Sequence, residues 1–260
     1  MSQAEEREKR REERHRAEAE DSARERRQRL IKLVSAAVFL AIIAIVVAVI
    51  VSQSGGGSKG GGTDLSGAGK VQAELKGLPQ NGPVLGNPSA KVTLIEYGDL
   101  QCSTCKAYAD SIMPQLFSGP VRSGQAKIEF RAWPIIGPDS IPAAEGAYAA
   151  GQQGRFWSYI DLFYANQGGE NSGYVTDDFQ TAVAKGAGVP NIDKWNQDRK
   201  DPRWKRLLKQ HEQQAQAFGF TGTPSFAIQS AGGAAKPVPG QVGGSVLSLG
   251  DLEAAINQAG

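Results

Sequence analysis

An α/β fold is predicted by three features of the sequence. Lys91–Tyr97 (KVTLIEY) is apolar and β-branched with little alternation, as a strand buried on both faces should be. A second strand, Ala126–Trp133, alternates instead, with Ile128, Phe130 and Ala132 set against Lys127, Glu129 and Arg131. A long helical block then separates these strands from two short ones and a last helix. The predicted order is strand–helix–strand, helical block, strand–strand–helix.

Each element has its own signal. A helix is expected over Cys105–Met113. In the block, Phe156, Tyr159, Ile160, Phe163 and Tyr164 recur at i, i+3, i+4, i+7 and i+8, one face of a helix. Further helices are expected at 140–151, 177–187 and 202–218, with Pro190 and Pro202 as punctuation. Short strands are expected at Ser225–Gln229 and Pro237–Val242. Ser248 and Asp251 have capping-box spacing and open a final helix carrying Leu249, Leu252 and Ile256.

The first 80 residues have a different character. Residues 1–32 hold 11 Lys and Arg and 9 Asp and Glu, so this tail alone carries the chain's net charge of +2. So polar a segment buries too little surface to offset its ordering entropy. The remaining charges balance, which gives no reason to expect a nucleic-acid partner. Leu33–Val51 then contains no charged residue, long enough at about 1.5 Å per residue to cross nearly all of a hydrocarbon layer of about 30 Å. Residues 33–52 are therefore expected to form one transmembrane signal anchor. Arg24, Arg26, Arg27, Arg29 and Lys32 just before it place the N-terminal tail (1–32) in the cytoplasm and all that follows outside. Residues 53–80 are expected to be a flexible linker, since 8 of the 17 residues from Gln53 to Gly69 are glycine. The folded domain is expected over 81–260, with its helical block at about 138–218.

The chain has two cysteines, and both lie in Cys102-Ser103-Thr104-Cys105, between the first strand and its helix. A thiol at a helix N-terminus meets free N–H groups and the positive dipole end, which favour thiolate and make Cys102 the nucleophile. Cys105, one turn deeper, is placed to resolve a mixed disulfide. Three other uses of the pair are weaker. A structural bridge across four residues removes little unfolded-chain entropy. Zinc lacks ligands unless two chains share the ion, because His211 is the one histidine outside the tail. A hydrolase pairing Cys102 with His211 leaves Cys105 without a role. Gly222-Thr223-Pro224-Ser225-Phe226, just before a predicted strand, reads from physics alone as a turn at a strand start.

Taken together these motifs resemble the thioredoxin superfamily, and within it the DsbA-like disulfide oxidoreductases, over about Pro83–Gln258. Leu94–Cys105 is similar to the family's strand, acidic residue and redox motif in register. Arg131-Ala132-Trp133-Pro134 resembles its Arg-x-x-Pro stretch, and Gly222–Phe226 its cis-proline segment. The resemblance implies a thioredoxin fold with an inserted helical domain. It implies that Pro224 is cis beside the cysteines and that the backbone of Thr223 holds substrate peptide. It also implies that Glu96 is a buried carboxylate assisting proton transfer near Cys105; the alternative for Glu96 is a salt bridge with Arg131.

The implied activity is extracytoplasmic thiol:disulfide exchange, donating the Cys102–Cys105 disulfide to exported proteins that carry cysteines. A membrane quinone-linked partner would reoxidise the pair, and no cofactor is required because the cysteines carry the electrons. Strongly oxidising members often have Pro-His between the cysteines, where this chain has Ser103-Thr104. Thr223 also occurs before the proline in isomerase- and reductase-type relatives. A reductase or isomerase, and a peptide-binding chaperone-like module, are the alternatives.

Overall fold

The computed structural model describes residues 65–243 and 245–260. The charged tail, the anchor expected at 33–52 and the linker up to Asp64 lie outside the described residues. Among the described residues no helix is long and apolar enough to cross a membrane.

The described chain opens with helix α1 (Ala68–Leu75) and two short strands, β1 (Gln80–Asn81) and β2 (Val84–Leu85). Strand β3 (Val92–Gly98) is followed by α2 (Ser103–Ser111), α3 (Met113–Leu116), a π turn (Phe117–Val121) and β4 (Ala126–Ala132). The helical insertion comprises α4 (Ser140–Gly151), α5 (Phe156–Ala165), α6 (Asp177–Gly186), α7 (Ile192–Asp198) and α8 (Arg203–Ala217). The chain returns through β5 (Ser225–Gln229), β6 (Lys236–Pro237) and α9 (Leu249–Ala259).

These strands form one sheet in the order β1-β2-β4-β3-β5-β6. The central strands β3 and β4 are parallel, and β5 pairs antiparallel with β3. All seven residues of β3 are buried, whereas β4 alternates buried and half-buried, as the sequence patterns predict. Val92 and Leu94 share a core with residues of α2 and α9, while Ile95 and Tyr97 pack with Ala215 of α8 and with Phe220. The sheet therefore separates an α2 face from an α8 face.

Three expectations change. The linker does not run to residue 80, because Val71 and Leu75 bury one side of α1 and the chain is already strand at Gln80. The last strand ends at Pro237, not Val242. There the Gln241 side chain replaces the ladder by accepting from Phe226 N at 3.1 Å, and Gly240 turns the backbone through a positive φ of 88°. Helix α5 is not one-faced but buried almost all round, with Asp161 half-buried at its only polar turn. It is the central rod of the insertion.

Candidate functional site

The site begins where β3 runs out. A Cβ on Gly98 would lie 2.6 Å from the Phe130 ring, so glycine lets the strand end flush against β4. Asp99 then organises the turn. One carboxylate oxygen accepts from Gln101 N at 2.9 Å, and the other from Ile135 N and Ile136 N at 2.8 and 2.9 Å. Its carbonyl accepts from Cys102 N at 3.0 Å, which delivers Cys102 to the N-cap of α2.

At that cap the Cys102 sulfur accepts from Cys105 N at 3.4 Å, and in its thiol form it donates to the Thr223 carbonyl at 3.3 Å. The Cys105 side chain is the main cause of a lowered Cys102 pKa. Hydrogen bonds from the Thr223 side chain and from the N–H groups of Cys105 and Thr104 add to it, and together they outweigh partial burial to bring the thiol from 9.0 to about 6. Thr223 Oγ1 is buried and faces this site with no geometric hydrogen-bond partner among the described residues. Cys105 is fully buried, and desolvation pushes its thiol well up, reinforced by the Cys102 side chain and by Glu96. At neutral pH the outer sulfur is a thiolate and the inner one a thiol. This asymmetry is what a nucleophile and a resolving cysteine need.

Glu96 lies on the α2 face, 3 % exposed, and no described side chain hydrogen-bonds to it. Burial first, and then the charge of Cys102, raises its carboxyl from 4.5 to about 8. The alternative partner, Arg131, is on the opposite face. Tyr97 is in register with Arg131 and Glu96 with Phe130, so strand alternation separates the two charges. Arg131 instead makes a bidentate pair with Glu129 at 2.8 and 3.1 Å.

The Thr223–Pro224 peptide bond is cis and Pro224 is buried. The Thr223 carbonyl thereby meets Cys102, and Phe226, at the start of β5, stacks on Tyr108 of α2 at 5.4 Å. His211 is elsewhere. Its Nδ1 lies 3.1 Å from the Ala132 carbonyl and 3.4 Å from Tyr148 Oη, and burial lowers its pKa to about 4. It pairs with neither thiol, which removes the hydrolase reading.

Sequence reasoning missed a second set of residues, all from the insertion. Tyr164 Oη donates to the Asp99 carbonyl, and Gln167 Nε2 to the carbonyls of Leu100 and Cys102. Gln101 Oε1 accepts from Asn171 N, and its amide nitrogen reaches Ser140 Oγ. Glu170 Oε1 accepts from Ser103 N at 3.0 Å. Residues 99–103 are thus held, one after another, by residues 164–171. Apart from Ser140, which is 39 residues from Gln101, these are polar contacts between segments more than sixty residues apart, and no periodicity announces them.

Residues 79–233 match the family described as Thioredoxin. The chain belongs to the thioredoxin family. Within that family it is 26 % identical over 148 residues to a probable disulfide bond formation protein D of Bacillus cereus, covering 55 % of this chain and 68 % of the relative. A thioredoxin-like oxidoreductase from Silicibacter pomeroyi is similar in structure, with a TM-score of 0.53 and 28 % identity over 69 % of this chain and 92 % of the other. Oxidised BdbD from Bacillus subtilis matches the fold with a TM-score of 0.58 at 19 % identity, over 70 % and 96 % of the two chains. The shared architecture is a thioredoxin-like sheet with a helical insertion between its central strands and the cis-proline strand.

Proposed function

We infer that this chain is a thiol:disulfide oxidoreductase that donates the Cys102–Cys105 disulfide to exported proteins carrying cysteines. The observation that carries this reading is the asymmetry of the pair. Cys102 is held as a thiolate at the cap of α2 against the cis-proline loop, while Cys105 is a buried thiol above Glu96. The similarity to a relative named for disulfide bond formation supports it.

In the proposed cycle a substrate thiolate attacks Cys102 Sγ, and the Cys102–Cys105 bond breaks. Cys105 leaves with the electron pair and takes a proton from Glu96, which is protonated at neutral pH. A second substrate thiolate then attacks the substrate sulfur of the mixed disulfide and Cys102 leaves as thiolate. The substrate has lost two electrons and the cysteine pair has gained them. Pro224 and the backbone of Thr223 hold the extended substrate beside Cys102 as an added strand.

The domain acts outside the cytoplasm, tethered by the apolar run at Leu33–Val51, and a membrane quinone-linked partner reoxidises it. The deciding measurement is the reduction potential of the pair against glutathione. A value well above thioredoxin's, which is about −270 mV, is expected for an oxidant. A value at or below that level sinks the donor reading in favour of a reductase.

A further inference from the structure

We propose that Glu170, in the loop joining α5 to α6, sets the redox poise of the cysteine pair by placing a carboxylate on the first N–H of the redox helix. This rests on the reading of Cys102 and Cys105 as a redox pair, and adds a positioning residue from the insertion to it.

The first turn of α2 offers three N–H groups that no helical carbonyl can satisfy. Those of Thr104 and Cys105 face the Cys102 sulfur and stabilise its thiolate. The third, Ser103 N, points to Glu170 Oε1 at 3.0 Å. A carboxylate there does two things. It engages a donor at the positive end of the helix, and it puts a negative charge one residue from the atom that must become negative. Both disfavour the thiolate, hence the reduced pair, and make the disulfide a weaker oxidant.

Glu170 is exposed, but its loop is built to hold it. The neighbouring Asn171 adopts a left-handed φ of 55°, and its side-chain amide donates to the Ile136 carbonyl at 3.0 Å. Any Cβ on Gly137 would collide with that amide, and one on Gly168 would lie 2.6 Å from the Tyr174 ring. Asn171 N and Gln167 Nε2 fix the loop to Gln101 and to the Leu100 and Cys102 carbonyls on either side of Glu170.

The other charged groups around Cys102 do not cancel this charge. Glu96 lies behind it on β3 and is uncharged at neutral pH, so it supplies no opposing positive charge. Lys106, on the next turn of α2, is committed to Asp110 Oδ2 and the Tyr164 carbonyl, each at 2.9 Å. The Asp99 carboxylate is occupied by three backbone N–H groups.

The test uses the full chain with Glu170→Gln, which keeps an acceptor oxygen and removes the charge, and with Glu170→Lys. The Cys102 titration is followed by thiolate absorbance. The equilibrium of the disulfide and two glutathione thiols with the dithiol and glutathione disulfide is measured at pH 7 and low salt. The Cys102 pKa should fall in the order Glu, Gln, Lys. The equilibrium constant should rise about threefold for the Gln variant, the size of a helix-end charge effect. At 29.6 mV per tenfold that is about 14 mV. Because the carboxylate is exposed, the difference should close in about 1 M salt.

Unchanged titrations and equilibria in both variants overturn the inference. So does a shifted equilibrium without a shifted titration, which would assign the effect to geometry. If the wild-type pair itself fails to exchange with glutathione, the functional reading falls instead.

Discussion

On the α8 face of the sheet, the ionisable groups are satisfied. Arg131 grips Glu129 with two hydrogen bonds and reaches Tyr97 Oη and Gln214 Oε1, each at 3.0 Å. His211 stays neutral between the Ala132 carbonyl and Tyr148. Across the sheet, one residue along β3, Glu96 is buried with no cation and no described hydrogen-bonding side chain, beside a buried thiol. An uncompensated buried acid costs stability, whereas the paired charges opposite are held in fixed geometry. Asp161 of α5 carries a similar cost, its Oδ2 buried without a partner among the described residues, but it lies away from the thiols, whereas Glu96 lies beside one. On the proposed reading, Glu96 and Cys105 are the groups kept for proton and electron transfer, and the α8 face is scaffold.

The strongest way to break this comparison is to remove the resolving thiol. Cys105→Ser should leave Cys102 able to attack an oxidised substrate but without the internal thiol that would displace that substrate from Cys102, so mixed disulfides with substrate proteins should accumulate. Mass spectrometry of the purified variant reads them directly. Cys102→Ser, which keeps the buried cysteine and loses the cap nucleophile, should trap nothing. Equal trapping by both variants would mean that burial does not distinguish the two sulfurs.

A smaller effect is expected from Glu96→Gln, which removes the acid and keeps the shape. Reduction of the disulfide by dithiothreitol at pH 7 should slow by roughly 100-fold, the lower end of the usual scale of a lost general acid. Stability should move the other way. The Glu96 carboxyl is raised from 4.5 to about 8, so its favourable contribution is complete below about 4.5 and is lost as pH rises through about 8. Wild type should therefore lose roughly 3 kcal/mol relative to the variant across that window, at about 1.4 kcal/mol per pKa unit with some allowance for relaxation. Urea unfolding at pH 5 and pH 8.5 checks the sign. A variant that is slower but gains nothing at high pH would show that Glu96 is not held uncharged.

Much of this geometry was legible in the sequence, for reasons that also explain the gaps. The apolar run of β3 and the alternation of β4 follow directly from burial on two faces and on one. The same alternation already separates Glu96 from Arg131, once β3 and β4 are known to be parallel with Tyr97 opposite Arg131. The sequence supplies the parity of each strand but not their register, so the salt bridge remained an open alternative. Helix α1 was hidden because Gly67 and Gly69 continue the composition of the linker, and only Val71 and Leu75 betray a buried side. Helix α7 is seven residues long and anchored by one buried tryptophan, Trp195, too short for a periodic signal. The clamp of Tyr164, Gln167, Glu170 and Asn171 on the redox turn is specified by tertiary placement alone. A Gly-Gly-Glu-Asn-Ser-Gly loop reads as solvent-facing until the fold sets it against Cys102.

The smallest effect sharpens the comparison from the scaffold side. Arg131→Met removes the guanidinium while keeping an apolar stem to pack on the Tyr97 ring, which Arg131 now covers at 5.8 Å. Glu129 then loses a bidentate partner at a position where both side chains are less than one-quarter exposed. The expected loss is about 1–2 kcal/mol, the scale of a partly buried charge-assisted hydrogen-bonded pair. Chemical denaturation reads it. Arg131 is one strand residue from the acid that serves the cysteines, yet the sheet lies between them. The titration of Cys102 and the glutathione equilibrium should therefore stay at their wild-type values, whereas Glu170→Gln, on the surface and far away in sequence, should move both. If Arg131→Met shifted the potential as much as the Glu170 substitution, the sheet would not insulate its two faces, and the poise of the pair would belong to the charge of the whole domain.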